Sequence, residues 1–163
     1  MTSRIPPIAY VLGLAGAIPF IVCGVAAASA GPQANTGLLA LLGYGAVILA
    51  FVGAVHWGFA LAYPTPEQPL DRAPSLVIRL TLATVPALIG WTALLLALLR
   101  LPEIGLVVLI AGFIATIATE ARWSKANVIP PGYMALRWSA SAIVITSLTV
   151  VLALRLLGAS IIF

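Results

Sequence analysis

Charged side chains are scarce in this sequence. Eight Lys and Arg residues and four Asp and Glu residues make up 7% of the 163 positions. A soluble domain carries about 25% charged residues, and the mean hydropathy here is +1.18. These values exclude a soluble globular domain and a disordered chain. The eight cations are also spread singly along the chain, so they form no basic patch for phosphates, and nucleic acid is excluded as a partner.

Cysteine and histidine are each present only once, as Cys23 and His56. One cysteine excludes an intramolecular disulfide, and the pair cannot supply a zinc cluster. We expect Cys23 to be a small buried apolar residue. A single histidine could hold a haem iron only with a different second ligand, for which the sequence offers no clear candidate. No metal and no resident cofactor are therefore predicted.

Long apolar runs make up most of the sequence. Crossing a bilayer takes about 20 apolar residues in a helix, and backbone groups in lipid must be paired within the segment. The chain is therefore predicted to be an all-α integral membrane protein, one domain over 1–163 with five transmembrane helices at about 8–29, 38–62, 76–99, 101–119 and 136–160. The first run also has features of a signal peptide, but its length of about 22 residues exceeds a typical apolar core.

The cations are distributed unevenly between the two ends of these spans. With five spans, one side of the membrane has six cations and the other has two: Arg4, Arg72, Arg79, Arg122, Lys125 and Arg137 against Arg100 and Arg155. The positive-inside rule then predicts a cytoplasmic N-terminus and a C-terminus on the far side. The expected location is the bacterial inner membrane.

Small residues recur every four positions in the second span, at Ala46, Ala50, Ala54 and Gly58. Close approach of backbones through small residues drives much of helix association in lipid. We predict that this stripe packs against another helix. His56 is predicted to lie on a second, roughly opposite face, which would make this helix the centre of the bundle.

Polar and aromatic residues collect at the predicted cytoplasmic ends of the spans: His56, Trp57, Arg79, Glu120, Tyr133 and Arg137. The Arg and Tyr residues could be interface anchors whose polar tips reach the head groups. His56 lies about 10 Å inside its helix end, too deep for that role. It is either a neutral histidine bonded across helices or part of a site for a ligand or partner. No Ser/His/Asp set and no polar pore lining can be placed, so catalysis and ion conduction are not expected.

Four strings resemble a known family: YGAVILAFVGAVHWG at 44–58, RIP at 4–6 followed by GAIPF at 16–20, VPALIGW at 85–91 and PGYMALR at 131–137. The family consists of small multi-span membrane proteins of unknown function, found in proteobacteria and related to an uncharacterised mitochondrial transmembrane protein. The resemblance implies a membrane location and no established activity. This chain departs from the family pattern at Glu120, where the pattern has Asp, and at Gly132, where it has Trp.

Two functional hypotheses follow. The first is a non-catalytic accessory or assembly subunit of a respiratory or photosynthetic electron-transport complex, with other integral membrane subunits and the bilayer as partners. The second is a stand-alone binder or carrier of a quinone, a porphyrin (haem included) or a lipid. In that case His56 with Arg79 or Arg137 would hold the head group, while Pro86 and Trp91 would shape the pocket.

Overall fold

The computed structural model describes residues 6–62, 75–124 and 132–160. These residues form six helices: α1 Pro7–Ala15, α2 Ile18–Ala28, α3 Ala34–Ala62, α4 Leu76–Leu98, α5 Pro102–Ser124 and α6 Tyr133–Leu156. The pair α1 and α2 and each of the other four helices are long and apolar enough to cross a membrane. The prediction of an all-helical protein with five spans is confirmed.

The first span covers Pro7–Ala28, which confirms the predicted span at about 8–29, but its helix is broken in the middle. Pro19 lacks an amide hydrogen, and its ring clashes with the carbonyl four residues earlier, which belongs to Ala15. α1 therefore ends at Ala15, and α2 begins at Ile18. The Tyr44 hydroxyl of α3 donates a hydrogen bond of 2.9 Å to the carbonyl of Gly16 inside the break. A side chain of a neighbouring helix thus satisfies a backbone group at the break.

Three other helices have bounds that differ from the predicted ones by a few residues. α5 continues to Ser124 rather than ending near 119, and α6 begins at Tyr133 rather than at 136 and ends at Leu156 rather than at 160. α3 starts four residues before the predicted 38. At the end of α5 the hydropathy pattern stops before Glu120, whereas the helix continues because Glu120 is buried against neighbouring helices. The predicted loop over 63–75 lies outside the described residues except for Ser75, as do 125–131.

α3 is the central helix and packs against α2, α4 and α5. Its closest approach is to α4, where Gly53 faces the carbonyl of Ala83 and Gly90 faces the backbone of Ala46. A Cβ atom added at Gly53 would lie 2.5 Å from the Ala83 oxygen. The apolar core lies deeper in the bundle and includes Phe20, Leu41, Leu42, Leu49, Leu106, Leu109, Phe113 and Leu148, with Cys23 half-buried beside it.

The small-residue stripe of α3 is not one packing face. A step of four residues turns the helix by about 400°, so the stripe winds by about 40° per step. Ala46 is buried at the contact with α4, Ala50 is half-buried, and Ala54 and Gly58 are exposed. The buried face contains both Ala46 and His56. The prediction of two opposite faces, with the whole stripe packed, is therefore corrected for this chain.

Candidate functional site

A buried ionic cluster joins three helices at the end of the bundle where α3 and α5 end and α6 begins, hereafter the His56 end. The Nε2 atom of His56 lies 3.0 Å from Oε1 of Glu120. The Nε atom of Arg137 lies 2.8 Å from the other carboxylate oxygen, Oε2. The Glu120 side chain is fully buried. One carboxylate therefore bridges α3 and α6.

The positions of these side chains follow from helical phase. On α5, Gly112, Thr116 and Glu120 follow one another at four-residue steps on the buried face. On α6, Arg137 donates from Nη1 to the Ser141 hydroxyl at 3.0 Å, one turn along the same helix. The sequence interpretation missed Ser141. The spacing of four residues from Arg137 is the signal that could have found it.

Aromatic rings surround the imidazole. Trp123 meets the His56 ring edge to face, with centroids 5.1 Å apart. Phe59 packs edge to face against His56 at 6.1 Å and against Tyr133 at 5.5 Å. Phe59 is a second residue that the sequence interpretation did not single out. These rings keep the cluster in a low-dielectric setting, where its ionic contacts are strong.

The proton arrangement of the cluster follows from the chemistry of its groups. An ionised carboxylate only accepts hydrogen bonds, so His56 donates its Nε2 hydrogen to Glu120. In the neutral tautomer, Nδ1 then carries a lone pair. Arg137 is 7% exposed, and its Nη2 nitrogen is buried with no hydrogen-bond partner among the described residues. Leaving a buried donor unsatisfied costs about 1–3 kcal/mol.

The remaining predicted site residues fall into two groups. Arg79 is 2% exposed and Arg137 is similarly buried, so neither is an interface anchor reaching towards the head groups. Trp57 is 41% exposed and lies outside the buried cluster. The structure therefore brings together His56, Glu120, Tyr133 and Arg137, and leaves Trp57 on the surface.

An apolar cavity of about 410 Å³ lies beside the cluster, between α1, α2, α3, α5 and α6. Arg137 and Tyr133 line it, and every other lining residue is apolar, including Phe20, Val55 and Leu136. Of the residues assigned to the predicted pocket, Arg137 lines this cavity, whereas Pro86 and Trp91 do not. Trp91 is 62% exposed, and Pro86 borders a separate cavity of about 80 Å³ that touches His56, Thr116 and Thr119.

The short helix α1 covers one side of the large cavity. It is held to α6 by the Tyr10 hydroxyl, which donates to the Gly132 carbonyl at 3.2 Å, and by Gly13, which faces Leu136. Gly132 has φ 88°, in the left-handed region that favours glycine. The backbone conformation therefore explains a glycine at this position.

The opposite end of the bundle carries a different kind of ion pair. The Nε atom of Arg155 lies 2.8 Å from Oε1 of Glu103, and both side chains are partly exposed. Ion pairs of this kind contribute about 0–1 kcal/mol. Within the described ranges, no group of three or more His, Cys, Asp and Glu residues could hold a metal ion.

These features define a multi-pass helical membrane protein with a buried ionic cluster beside a lateral apolar cavity. A family profile described as "Protein of unknown function (DUF3429)" matches residues 5–153, so the chain belongs to this family. The resemblance noted from the sequence motifs is thereby confirmed.

One curated relative is Transmembrane protein 69 of Xenopus tropicalis. It is 42% identical over 90 residues, which are 55% of this chain and 33% of the frog protein. The matched segment thus spans about a third of the relative's length. No solved structure matches this chain.

Proposed function

We propose that this protein binds a small amphipathic molecule in the cavity beside Arg137. The observation that carries the proposal is the cavity itself, with about 410 Å³ of space and a lining that, among the described residues, is apolar except for Tyr133 and Arg137. Ligand sites typically combine such an apolar wall with a few placed polar groups, in volumes of about 300–1,000 Å³. The candidate ligands are a quinone, a porphyrin or a lipid.

The position of the cavity supports entry from the bilayer. Leu12 of α1 and Phe51 of α3 both line it, and both remain largely exposed on the lateral surface of the bundle. A ligand dissolved in lipid could therefore reach the cavity without crossing water. Binding and carrying require no bond to break, so the proposed role is non-catalytic.

The test is to measure which small molecules copurify with the protein. Ala140 lines the cavity, whereas Ala135, on the same helix, is exposed and does not line it. We expect Ala140→Phe to lose a copurifying amphipathic molecule that mass spectrometry detects in the wild type, and Ala135→Phe to retain it. Equal ligand content in both variants would contradict the proposal.

A second candidate function is the accessory or assembly subunit of an electron-transport complex in the bacterial inner membrane. One observation favours it: Ala54 and Gly58 are small, exposed and next to each other on the surface of α3. An added Cβ at Gly58 would meet nothing within 4 Å. Small exposed residues at four-residue spacing let a second helix approach closely. The native mass after gentle extraction tests this candidate, since a defined large complex would support it and a lone monomer would not.

Both candidates assume the membrane orientation that the cation distribution favours, with the N-terminus in the cytoplasm. The His56 end would then lie near the cytoplasmic surface. Labelling of single cysteines placed at the two ends of the bundle, in a Cys23→Ala background, tests this orientation in intact cells.

A further inference from the structure

Some nitrogen donors of the Arg137 guanidinium have partners and one does not. Nε contacts Glu120 at 2.8 Å, and Nη1 donates to Ser141 at 3.0 Å. Nη2 is buried and lacks a hydrogen-bond partner among the described residues. A guanidinium has donors and no acceptor. The polar lining of the cavity therefore includes a buried cation with an unused donor.

From this geometry we infer the head-group chemistry of the ligand, an inference that rests on the proposed binding function. The head group presents an oxygen acceptor to Arg137, either the carboxylate or phosphate of an acidic amphiphile or the carbonyl of a neutral one. A cationic head group is rejected, because a quaternary ammonium offers no lone pair to the Nη2 donor of Arg137. Tyr133 also lines the cavity and interacts with Arg137, so its hydroxyl hydrogen supplies a second donor near the head group.

Glu120 and His56 act here as positioning residues. Neither lines the large cavity, yet Glu120 holds the Nε side of Arg137 and His56 holds the other carboxylate oxygen. The guanidinium is thereby fixed from two helices before any ligand arrives. A pre-organised donor loses less conformational freedom on binding than a flexible one.

The experiment compares four probes with alkyl chains of nine or ten carbons, added to the purified full chain in maltoside micelles. They are decanoate, a decyl-substituted benzoquinone, decyltrimethylammonium and decylbenzene, which has no polar head. Adducts are counted by native mass spectrometry, and the apparent Tm is followed by tryptophan fluorescence. At a hundredfold excess over Kd, a bound probe is expected to raise Tm by about 5–10 °C.

Each outcome has a distinct meaning. If only decanoate binds more tightly than decylbenzene, the ligand has an acidic head group. If only the benzoquinone does, the head group is a carbonyl. If both do, the site accepts oxygen acceptors in general. If decyltrimethylammonium or decylbenzene binds as tightly as the two acceptor probes, the head-group inference is overturned while the proposed binding function stands. If no probe binds, both are overturned.

A double variant tests the role of Arg137 without leaving an unpaired charge buried in the protein. Glu120→Gln combined with Arg137→Gln replaces the ion pair by two neutral amides. Glutamine has the size of Glu120 and is shorter than Arg137. We expect the acceptor probes to bind about tenfold to a hundredfold more weakly, since a hydrogen bond to a charged donor is lost, while decylbenzene binding is retained. Retained decylbenzene binding also shows that the variant is folded. Unchanged affinity for the acceptor probes would overturn the inference.

His56→Gln tests the positioning role separately. Glutamine can still donate a hydrogen bond to Glu120, so we expect acceptor binding close to that of the wild type. His56→Ala removes the donor, and we expect it to weaken acceptor binding while leaving decylbenzene binding unchanged. If both variants bind the acceptor probes as the wild type does, His56 has no positioning role.

Discussion

His56 of α3 and Glu120 of α5 are 64 residues apart in the sequence and meet at 3.0 Å inside the bundle. Glu120 also contacts Arg137 of α6, so a single buried carboxylate links three membrane-spanning helices. In lipid, the alternative to such a contact is an ionised group without a partner in hydrocarbon, which is costly. Four predictions follow from this contact and from the packing around it.

The first prediction compares two Arg–Glu ion pairs of the described residues, one buried and one partly exposed. Glu120→Ala leaves the Arg137 charge buried without its partner, and we expect it to lower the free energy of unfolding by about 3–5 kcal/mol. The matched control is Glu103→Ala, which removes the partly exposed partner of Arg155 and should cost about 0–1 kcal/mol. Unfolding by sodium dodecyl sulfate in mixed micelles measures both. Similar losses for the two variants would show that Glu120 and Arg137 do not form a stabilising buried pair.

The second prediction concerns two glycines on α3. Gly53→Ala places a methyl group 2.5 Å from the Ala83 carbonyl, so α3 and α4 must separate, at an expected cost of about 1–3 kcal/mol. Gly58→Ala meets open space and should be neutral or stabilise the helix by about 0.5–1 kcal/mol. The same micelle unfolding assay separates them. If both variants destabilise the protein equally, the close approach at Gly53 is not what holds the two helices together.

The third prediction concerns the break between α1 and α2. Tyr44→Phe removes the hydrogen bond to Gly16 and should cost about 0.5–1.5 kcal/mol. Tyr10→Phe removes the longer and exposed bond to Gly132 and should cost less. Backbone hydrogen exchange at 13–20 provides the measurement, because loss of the Tyr44 bond should speed exchange around the break. Unaltered exchange in Tyr44→Phe would mean that the break is held by Pro19 alone.

The fourth prediction concerns the exposed part of the small-residue stripe. Ala54→Leu enlarges a residue that is exposed in this chain, so the monomer should fold normally, while any complex that docks there should be lost from the native-mass profile. Ala46→Leu is the contrast, because Ala46 faces Gly90 at the α3–α4 contact and its enlargement should destabilise the monomer. A native mass that does not change in a folded Ala54→Leu protein removes the support for a partner at this surface.

The candidate site was predictable from the sequence in part. His56, Arg79, Glu120, Tyr133 and Arg137 stand out because ionisable and polar residues are rare in an apolar chain, and topology assigns them to one end of the bundle. Whether an arginine reaches towards the head groups or turns inward depends on the neighbouring helices. Hydropathy cannot show this, so Arg79 and Arg137 could equally be read as interface anchors.

Other features depend on contacts between segments far apart in the chain. Phe59 and Ser141 look like ordinary helix residues until His56 and Arg137 lie beside them. The sequence interpretation let the Pro86 bend and Trp91 shape the apolar wall of the pocket, because proline bends often open a cavity. The cavity lined by Arg137 instead lies where the broken first span leaves space against α3 and α6, and the sequence pattern did not reveal that.

The sequence by itself determined the membrane-embedded helical class, the number of spans and the family, because apolar runs of sufficient length must form helices in lipid. Only the tertiary structure decided which face of each helix is buried, how one carboxylate joins three helices and where the cavity lies. Those features depend on helix rotation and on packing between distant segments. The periodicity of each helix by itself leaves that rotation undetermined.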